Sequence, residues 1–326
     1  MMETAAAAAV PPTHRVETEH MDMIYDMKMD YHSKRVATCS SDRTVRIYEA
    51  TAGQNTLVAS LDVACDGPVW RLAWSHPKFN VLAASTACGK IAFYRNKAPA
   101  GAPENWGLLD VHQTRAASIN AIEFAPHEYG LVIAAASADG SVTVVTMTQQ
   151  GWVTTSSFQD NDVGCLGVSW APYNSLGGQG VRRLVVAGCD TQVKIWTKAD
   201  ADGTQTWQCI EALPRGHSDW VRDVLWAPNA GMPCNTIASG SDDRTVLIWS
   251  QVELNGPWTC DVLGTFRSPV NRLSWSVAGQ VLCVASGEDH VSLWKQVQQP
   301  DQTWKWMQVS SISESGAVAT PTTTLS

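Results

Sequence analysis

The sequence predicts an all-β protein built from six similar four-stranded units, and two series of repeated segments carry this prediction. The first series starts with RTVRIYEA at residues 43–50 and recurs as GKIAFYRN, GSVTVVTM, TQVKIWTK, RTVLIWSQ and HVSLWKQV. Each segment alternates apolar and polar residues, as a half-buried β-strand does. The aligned closing positions, 45 to 53 residues apart, are Tyr48, Tyr94, Val145, Trp196, Trp249 and Trp294.

The second series lies about twenty residues before the first and keeps the same register. Its equivalent positions are Met29, Trp74, Phe124, Trp170, Trp226 and Trp275. A short apolar run ending in a turn separates the two series, and a further strand follows the first. Each unit is therefore four antiparallel strands, and the period is typical of a WD40 β-propeller blade. The fifteen tryptophans supply large side chains to fill the space between stacked blades.

Composition and charge argue against several classes of function. The chain has 326 residues, 44% of them hydrophobic, and a net charge of -8 with its basic residues scattered. Such a chain is not expected to bind nucleic acid or to associate with an anionic membrane. No window approaches the roughly 20 apolar residues of a transmembrane helix. The nine cysteines include no C-x-x-C pair, which favours reduced thiols over disulfides or a metal site.

The segment GHSDWVRDVLWAP, residues 216–228, sets His217, Ser218 and Asp219 side by side like the members of a catalytic triad. Neighbouring residues on an extended segment point to opposite faces, whereas a triad is assembled from separate parts of a fold. We therefore predict a structural role. WD40 blades commonly contain a hydrogen-bonded tetrad, which maps here to His217, Ser239 or Ser241, Asp243 and Trp249. Only this blade is expected to hold the full set.

Other blades keep parts of this pattern. Aspartate holds the turn position six residues before the closing residue at Asp42, Asp139 and Asp190, whereas Cys88 and Glu288 replace it in blades two and six. No metal-ligand spacing, phosphate-binding loop or carboxylate pair stands out. We expect a protein that is not an enzyme and that has no metal, cofactor or small-molecule substrate.

The ends of the chain predict how the ring closes. Most WD40 propellers use an N-terminal strand to complete the last blade, which leaves no open sheet edge. Here blade one has its own four strands from about His20 to Leu61, and residues 302–310 complete blade six. A short candidate strand, HRVETE, precedes blade one. We predict a disordered leader at 1–13, a six-bladed propeller at 14–309 and a disordered tail at 310–326, with a ring that is open or closed by something else.

Four phrases resemble the Sec-thirteen family, the small propeller subunits of the COPII outer coat and of the nuclear pore Y-complex. They lie at residues 19–50, 66–79, 125–140 and 216–239, and the last, GHSDWVRDVLWAPNAGMPCNTIAS, is the most specific. The resemblance covers nearly the whole chain. It departs from the family at Cys88, where aspartate is usual, and in a short loop, APYNSLGGQGVRR.

The resemblance implies a scaffold subunit whose open propeller is completed in trans. The large COPII rod subunit or a Y-complex scaffold nucleoporin would donate a blade between blades six and one. The implied locations are the cytoplasmic face of the endoplasmic reticulum, COPII vesicles and the nuclear pore complex. Candidates for the partner-blade wedge are Met27, Met29 and Val36 in blade one and Trp275, Leu282 and Val284 in blade six.

A second hypothesis assigns the function to the top rim of the propeller. The residues that follow the start of each innermost strand are expected to gather there, and an aromatic, an arginine and two asparagines at one mouth suit a bound peptide. In this reading the protein is a peptide-reading adaptor. The rim candidates are Tyr25, Trp70, Asn120, Leu166, Arg222 and Asn271.

Overall fold

The computed structural model describes most of the chain. Its described residues are 16–51, 54–63, 65–99, 102–114, 117–177, 180–199, 206–214, 216–229, 234–287, 290–299, 304–313 and 318–319. These residues form six antiparallel sheets, so the predicted all-β, six-bladed propeller is confirmed. The predicted leader at 1–13 and Glu288 lie outside the described residues.

The first three blades are four-stranded meanders whose strands are hydrogen-bonded in chain order. Blade one contains β1 (Ile24–Met29), β2 (Arg35–Ser40), β3 (Thr44–Thr51) and β4 (Gln54–Asp62). Blade two contains β5 (Val69–Trp74), β6 (Val81–Thr86), β7 (Lys90–Asn96) and β8 (Trp106–Gln113). Blade three contains β9 (Ile119–Phe124), β10 (Val132–Ser137), β11 (Ser141–Thr148) and β12 (Gly151–Gln159).

The last three blades repeat this order, and blade six adds a fifth strand. Blade four contains β13 (Cys165–Trp170), β14 (Val181–Gly188), β15 (Val193–Ala199) and β16 (Gln208–Ala212). Blade five contains β17 (Val221–Trp226), β18 (Asn235–Ser241), β19 (Thr245–Gln251) and β20 (Thr259–Thr265). Blade six contains β21 (Val270–Trp275), β22 (Val281–Ser286), β23 (His290–Gln298), β24 (Trp304–Ser313) and β25 (Val318–Ala319).

Turn aspartates fix the hairpin between the second and third strands of a blade. In blade five, Asp243 Oδ1 accepts a hydrogen bond from the Thr245 N–H at 2.9 Å. The intervening Arg244 takes a φ of 67°, a left-handed conformation that costs a non-glycine residue energy and needs support from its surroundings. The same bond to the residue two positions on is made by Asp42, Asp139 and Asp190. The aspartate side chain therefore stabilises this turn by bonding the backbone N–H two residues further along the chain.

Five clusters of buried side chains fill the five joints between consecutive blades, from one–two to five–six. At the two–three joint, the rings of Phe93 and Trp152 stack with centroids 3.7 Å apart. At the four–five joint, Val185 and Ile195 of blade four pack in one cluster with Ile237 and Trp249 of blade five. Burial of large side chains at every joint is the main source of stability in such a stack.

Both ends differ from prediction. Residues 16–19 of the candidate strand at 14–19 form no strand; the Thr18 carbonyl instead accepts hydrogen bonds from the side chains of Tyr48 and Arg46 in blade one. His14 itself is outside the described residues. The tail boundary at 310 was wrong, because β24 continues to Ser313 by pairing with β23, and β25 pairs with β24. The polar, serine-rich composition that suggested disorder is compatible with an outer strand.

The described part of the chain has no helix long and apolar enough to cross a membrane. Its helical segments are two three-residue 3₁₀ turns, His127–Tyr129 and Ser175–Gly177. Within the same residues, no group of three or more histidine, cysteine or acidic side chains is arranged to hold a metal ion.

Candidate partner-binding site

The junction between blades six and one differs from the other five. Innermost strands of consecutive blades pack together in the pairs β1–β5, β5–β9, β9–β13, β13–β17 and β17–β21. Among the described strands, β21 and β1 form no comparable packing contact, and no buried cluster spans these two blades. Chain connectivity explains part of the difference, since only this junction joins blades from opposite ends of the chain.

Hydrogen bonds show the same difference. At each of the five joints, a side chain on one innermost or second strand bonds to the backbone of the next blade. These bonds are Asp26 to the Leu72 N–H (2.9 Å), Ser85 to the Ile119 carbonyl (3.1 Å), Glu123 to the Trp170 N–H (2.6 Å), Ser169 to the Trp226 N–H (3.0 Å) and Asp223 to the Leu273 N–H (2.9 Å).

At the six–one junction, Arg272 Nη2 and Asp26 Oδ1 lie 3.8 Å apart. The Arg272 nitrogen is buried and has no hydrogen-bond partner. The two residues hold the position that Asp223 holds in blade five, three residues before the end of the innermost strand. An ion pair at this distance is weaker than a hydrogen-bonded one and is screened by salt. Blades six and one therefore meet here through a long ion pair.

The free face of blade one carries the three residues predicted for it. Strand register places Met27 opposite Thr38 and Met29 opposite Val36, so these side chains share one face of the sheet. The other face, which includes Ala37, packs on blade two. Met27 and Met29 are 61% and 51% exposed. Their equivalents in blade five, Val224 and Trp226, are 0% and 5% exposed, since blade four covers them.

Blade six turns a different face toward the junction from the one predicted. Leu282 and Val284 are fully buried in the cluster shared with blade five, and Trp275 packs against that cluster. Their assignment to the wedge was wrong, because alternation predicts two faces per strand but not which one meets the preceding blade. The opposite face of blade six carries Cys283, Ala285, Val291 and Leu293, all half-buried.

Comparison with blade four shows that this face of blade six lacks a covering blade. The equivalent residues of blade four are buried against blade five; they are Val185, Ala187, Val193 and Ile195, none more than 1% exposed. The two free faces therefore repeat the two halves of a blade-to-blade joint. Neither of these two faces is covered by another blade of the described chain.

The tetrad residues of blade five lie together, with one difference from prediction. His217 Nδ1 is 2.9 Å from Asp243 Oδ2, and His217 Nε2 is 2.6 Å from Ser239 Oγ. Trp249 lies edge-on to the histidine ring, but its indole N–H donates to the Pro214 carbonyl at 3.0 Å and not to another member of the predicted tetrad.

Charge in this network is set by burial and by hydrogen bonds. Burial lowers the pKa of His217, and the neighbouring carboxylate of Asp243 opposes this only in part. Burial opposes ionisation of Asp243, but hydrogen bonds, led by that from the Thr245 hydroxyl, outweigh it and lower its pKa to about 2. The arrangement is a neutral histidine that donates to a carboxylate and accepts from a serine. Ser218 contributes its backbone N–H to Asp243, so the adjacent trio is not a triad.

Blade one contains the same network, which the sequence reading missed. His20 Nδ1 is 2.8 Å from Asp42 Oδ2, and His20 Nε2 is 2.8 Å from Thr38 Oγ1. Tyr48 takes the place of the tryptophan. The signal was available, since His20 stands nine residues before Met29 just as His217 stands nine before Trp226.

The six rim candidates hold the second position of the six innermost strands, one on each. Asn120 and Asn271 donate to backbone carbonyls of Cys165 and Gly287, and Arg222 forms two hydrogen bonds with Asp242. The Tyr25 and Trp70 rings contact each other edge-on at 4.3 Å. Three of the polar groups expected to bind a peptide are thus engaged within the chain.

Comparison with known proteins adds the family. The model of the WD domain, G-beta repeat, matches residues 12–49 and 207–250, and each of these segments contains one of the two histidine networks. The Protein SEC13 homolog of Drosophila melanogaster is 39% identical over 294 residues, which cover 86% of this chain and 80% of that protein. The chain belongs to the SEC13 family. The resemblance in the sequence is thereby confirmed.

Other SEC13 relatives match over similar lengths. The Protein transport protein SEC13 of Mycosarcoma maydis is 36% identical over 86% of this chain and 91% of its own length. That of Emericella nidulans is 39% identical over 90% and 96%. A solved structure titled Crystal Structure of Mitotic Checkpoint Complex aligns with a TM-score of 0.63 at 16% identity, covering 88% of this chain and 74% of that one, which supports the fold alone. The SEC13 names support a transport-related WD40 subunit, in a family that is generally non-catalytic.

Proposed function

We propose that this SEC13-family chain is a non-enzymatic scaffold subunit whose open propeller binds a blade donated by a partner. The observation that carries the proposal is the pair of free faces at the six–one junction. Met27 and Met29 on one side and Leu293 on the other are exposed or half-buried, whereas their equivalents at the four–five joint are buried. Two apolar blade faces in water favour a partner that covers them both.

The scaffold would serve two assemblies. One is the outer coat of COPII vesicles, which act in transport from the endoplasmic reticulum to the Golgi, and the other is the nuclear pore Y-complex. The donors are the large COPII rod subunit and a Y-complex scaffold nucleoporin. The corresponding locations are the cytoplasmic face of the endoplasmic reticulum, COPII vesicles and the nuclear pore. Relatives named protein transport proteins support the coat part of this proposal.

A blade between two faces has a physical advantage over a peptide on the rim. It can restore the clusters of the other five joints on both of its sides, with burial of the order of 2,000 Å² that is typical of lasting complexes. The rim offers little free hydrogen-bonding capacity, since Asn120, Arg222 and Asn271 have partners in the chain.

The experiment uses the full chain and a fragment of the COPII rod subunit that carries one blade. The fragment should raise the melting temperature, and more so at higher concentration, because it binds only the folded state. Leu293→Asp and Met27→Asp should abolish the shift, since each places a charge in the new joint. Matched controls on the rim, Trp70→Asp and Arg222→Glu, should keep it.

Two outcomes contradict the proposal. One is binding that survives both junction substitutions and is lost in the rim controls, which would support the peptide-reading adaptor instead. The other is a parent chain whose melting temperature does not respond to saturating fragment. Pull-downs with the parent and the Leu293→Asp variant, followed by identification of stoichiometric partners, separate the coat from the nuclear pore.

A further inference from the structure

Blade two carries two cysteines at the positions where blade five carries its histidine and aspartate. Cys65 stands nine residues before Trp74, as His217 stands nine before Trp226. Cys88 stands six residues before Tyr94, as Asp243 stands six before Trp249. The connection into the blade and its central hairpin therefore each carry a thiol where blade five carries a member of its charged network.

The two cysteines lie on segments that run side by side. The Ala87 N–H donates to the Pro68 carbonyl at 3.0 Å, and Cys88 packs against the buried cluster that contains Cys65. Thr86 Oγ1 is 3.2 Å from Cys88 Sγ, and the Cys65 thiol donates to the Gly67 carbonyl at 3.1 Å. Both cysteines are free, and Cys88 is the more exposed of the two.

Thiol hydrogen bonds are a poor substitute for the network of blade five. A thiol is a weak donor and a weak acceptor, whereas the histidine and aspartate form a bond with an ionised partner. The hairpin adapts by using Thr86, whose hydroxyl oxygen accepts from the Lys90 N–H at 3.0 Å, and by placing glycine at the left-handed position, with a φ of 76° at Gly89. The Thr86 hydroxyl and the glycine thus do for this hairpin what the aspartate does in blade five.

We propose that Cys65 and Cys88 are an oxidisable dithiol that closes to a reversible disulfide, so that a covalent bond links the two segments that a His–Asp pair links in blade five. The backbone hydrogen bond from Ala87 to Pro68 holds the two segments together, which meets the main requirement for such a bond, since cysteines whose backbones are far apart cannot be bridged. The dithiol lies in blade two, so the inference is independent of the partner site.

The oxidant class is a peroxide, and the reaction balances in two steps. The Cys88 thiolate attacks one oxygen of hydrogen peroxide, which gives a sulfenic acid and one water after protonation. The Cys65 thiolate then attacks that sulfur, forms the S–S bond and releases hydroxide, which takes up a proton to give a second water. The peroxide accepts the two electrons that the thiols lose.

Burial has a consequence for the second step. It raises the pKa of the Cys65 thiol, which keeps this group protonated at neutral pH. Since the thiolate is the attacking form, disulfide closure should accelerate as the pH rises. Reduction by an excess of a small dithiol should reverse the reaction.

The test treats the purified full chain with hydrogen peroxide, blocks the remaining thiols by alkylation, and maps the peptides by mass spectrometry. We expect a linked peptide pair containing Cys65 and Cys88 that lacks two hydrogens and disappears after reduction. The closed loop should raise the melting temperature by roughly 5 °C, because it restricts the unfolded chain. In Cys88→Ser, neither the linked pair nor the temperature shift should form.

Cys209, which is exposed, reports general oxidation in the same sample. The proposal is overturned if Cys209 is oxidised while Cys65 remains alkylated and Cys88 is either alkylated or found as a sulfinic acid. A Cys209→Ser variant keeps the test valid if Cys88→Ser folds poorly, since it should retain the linked pair and its temperature shift. Loss of both in Cys209→Ser would equally overturn the proposal.

Discussion

The joint between blades four and five and the junction between blades six and one are built from equivalent strands, yet one is closed and the other is not. At the closed joint, Ile195 is 1% exposed and Trp226 is 5% exposed. At the open junction, their equivalents Leu293 and Met29 are half-buried and 51% exposed. The difference shows that the blade fold does not require a neighbour on both sides.

This comparison separates two roles that apolar residues play in a propeller. Where two blades of one chain meet, burial supports folding. Where a blade face is left free, the same residue positions are available to a partner. Substitutions at matched positions should therefore have different effects, and the largest expected effect comes from a charge placed in each of the two environments.

Ile195→Asp should destabilise the chain by roughly 4 kcal/mol or more, because an unpaired carboxylate would be buried at the four–five joint. Leu293→Asp, at the equivalent position of blade six, should cost less than about 1 kcal/mol in the isolated chain, since water reaches the carboxylate. Denaturant unfolding of both variants measures the contrast. Equal destabilisation by the two substitutions would mean that the six–one junction is closed.

Closed joints also bury ionisable side chains, which makes the free energy of unfolding depend on pH. Burial raises the pKa of the Glu123 carboxyl to about 7 from an ordinary value of 4.5, although its hydrogen bond from the Trp170 N–H acts in the opposite direction. A raised pKa in the folded state favours folding below pH 4.5 and loses this contribution as the pH rises through about 7.

Glu123→Gln should remove this dependence. Relative to the parent, the variant should gain roughly 2 to 3 kcal/mol in unfolding free energy between pH 5 and pH 8, as the parent's carboxyl ionises inside the three–four joint. Urea unfolding at the two pH values measures the change. A constant difference between variant and parent would show that Glu123 has an ordinary pKa and that the joint admits water.

The histidine networks sharpen the comparison, because one faces a closed joint and the other faces the open junction. His217→Ala and His20→Ala should each cost about 1 to 3 kcal/mol, since each removes two hydrogen bonds and leaves a buried hydroxyl without its histidine partner. Thermal and denaturant unfolding measure both. A large loss for His217 with almost none for His20 would show that the network needs a covering blade. The expected effect in both is on stability alone.

The smallest expected effect is at the outer edge of blade six. Removing residues 314–326 deletes β25, which pairs with β24 through two residues. The melting temperature should fall by no more than about 2 °C, because a two-residue edge strand contributes few ladder bonds. A shift of many degrees would assign this strand a role in holding blade six. Deletion of residues 1–13, the predicted leader, is the matched control and should have no effect.

The sequence predicted the blades and one of the two free faces. Alternation in β1 and β2 grouped Met27, Met29 and Val36, and the structure places them together on the side of blade one away from blade two. In β22, alternation places Leu282 and Val284 on one face and Cys283 and Ala285 on the other, but it does not show which face meets blade five. Leu282 and Val284 were predicted for the wedge, and that assignment was wrong because both are buried in the five–six joint.

The side-chain groups that correspond to the histidine network in blades one and two are found only by comparing equivalent positions of different blades. His20 and Cys65 both stand nine residues before the end of an innermost strand, so spacing alone equates them with His217. Whether the groups at these positions touch depends on how the loop enters the blade, which is a property of the backbone. The long Arg272–Asp26 pair was likewise invisible, since it joins residues from opposite ends of the chain.

The consequence of that ion pair is mechanical. Five joints of the ring are locked by packed side chains, so they resist separation in any direction. The sixth is spanned by two charges 3.8 Å apart, whose attraction weakens gradually with distance and with added salt. A load on the ring should therefore widen it at this one place before any packed joint opens.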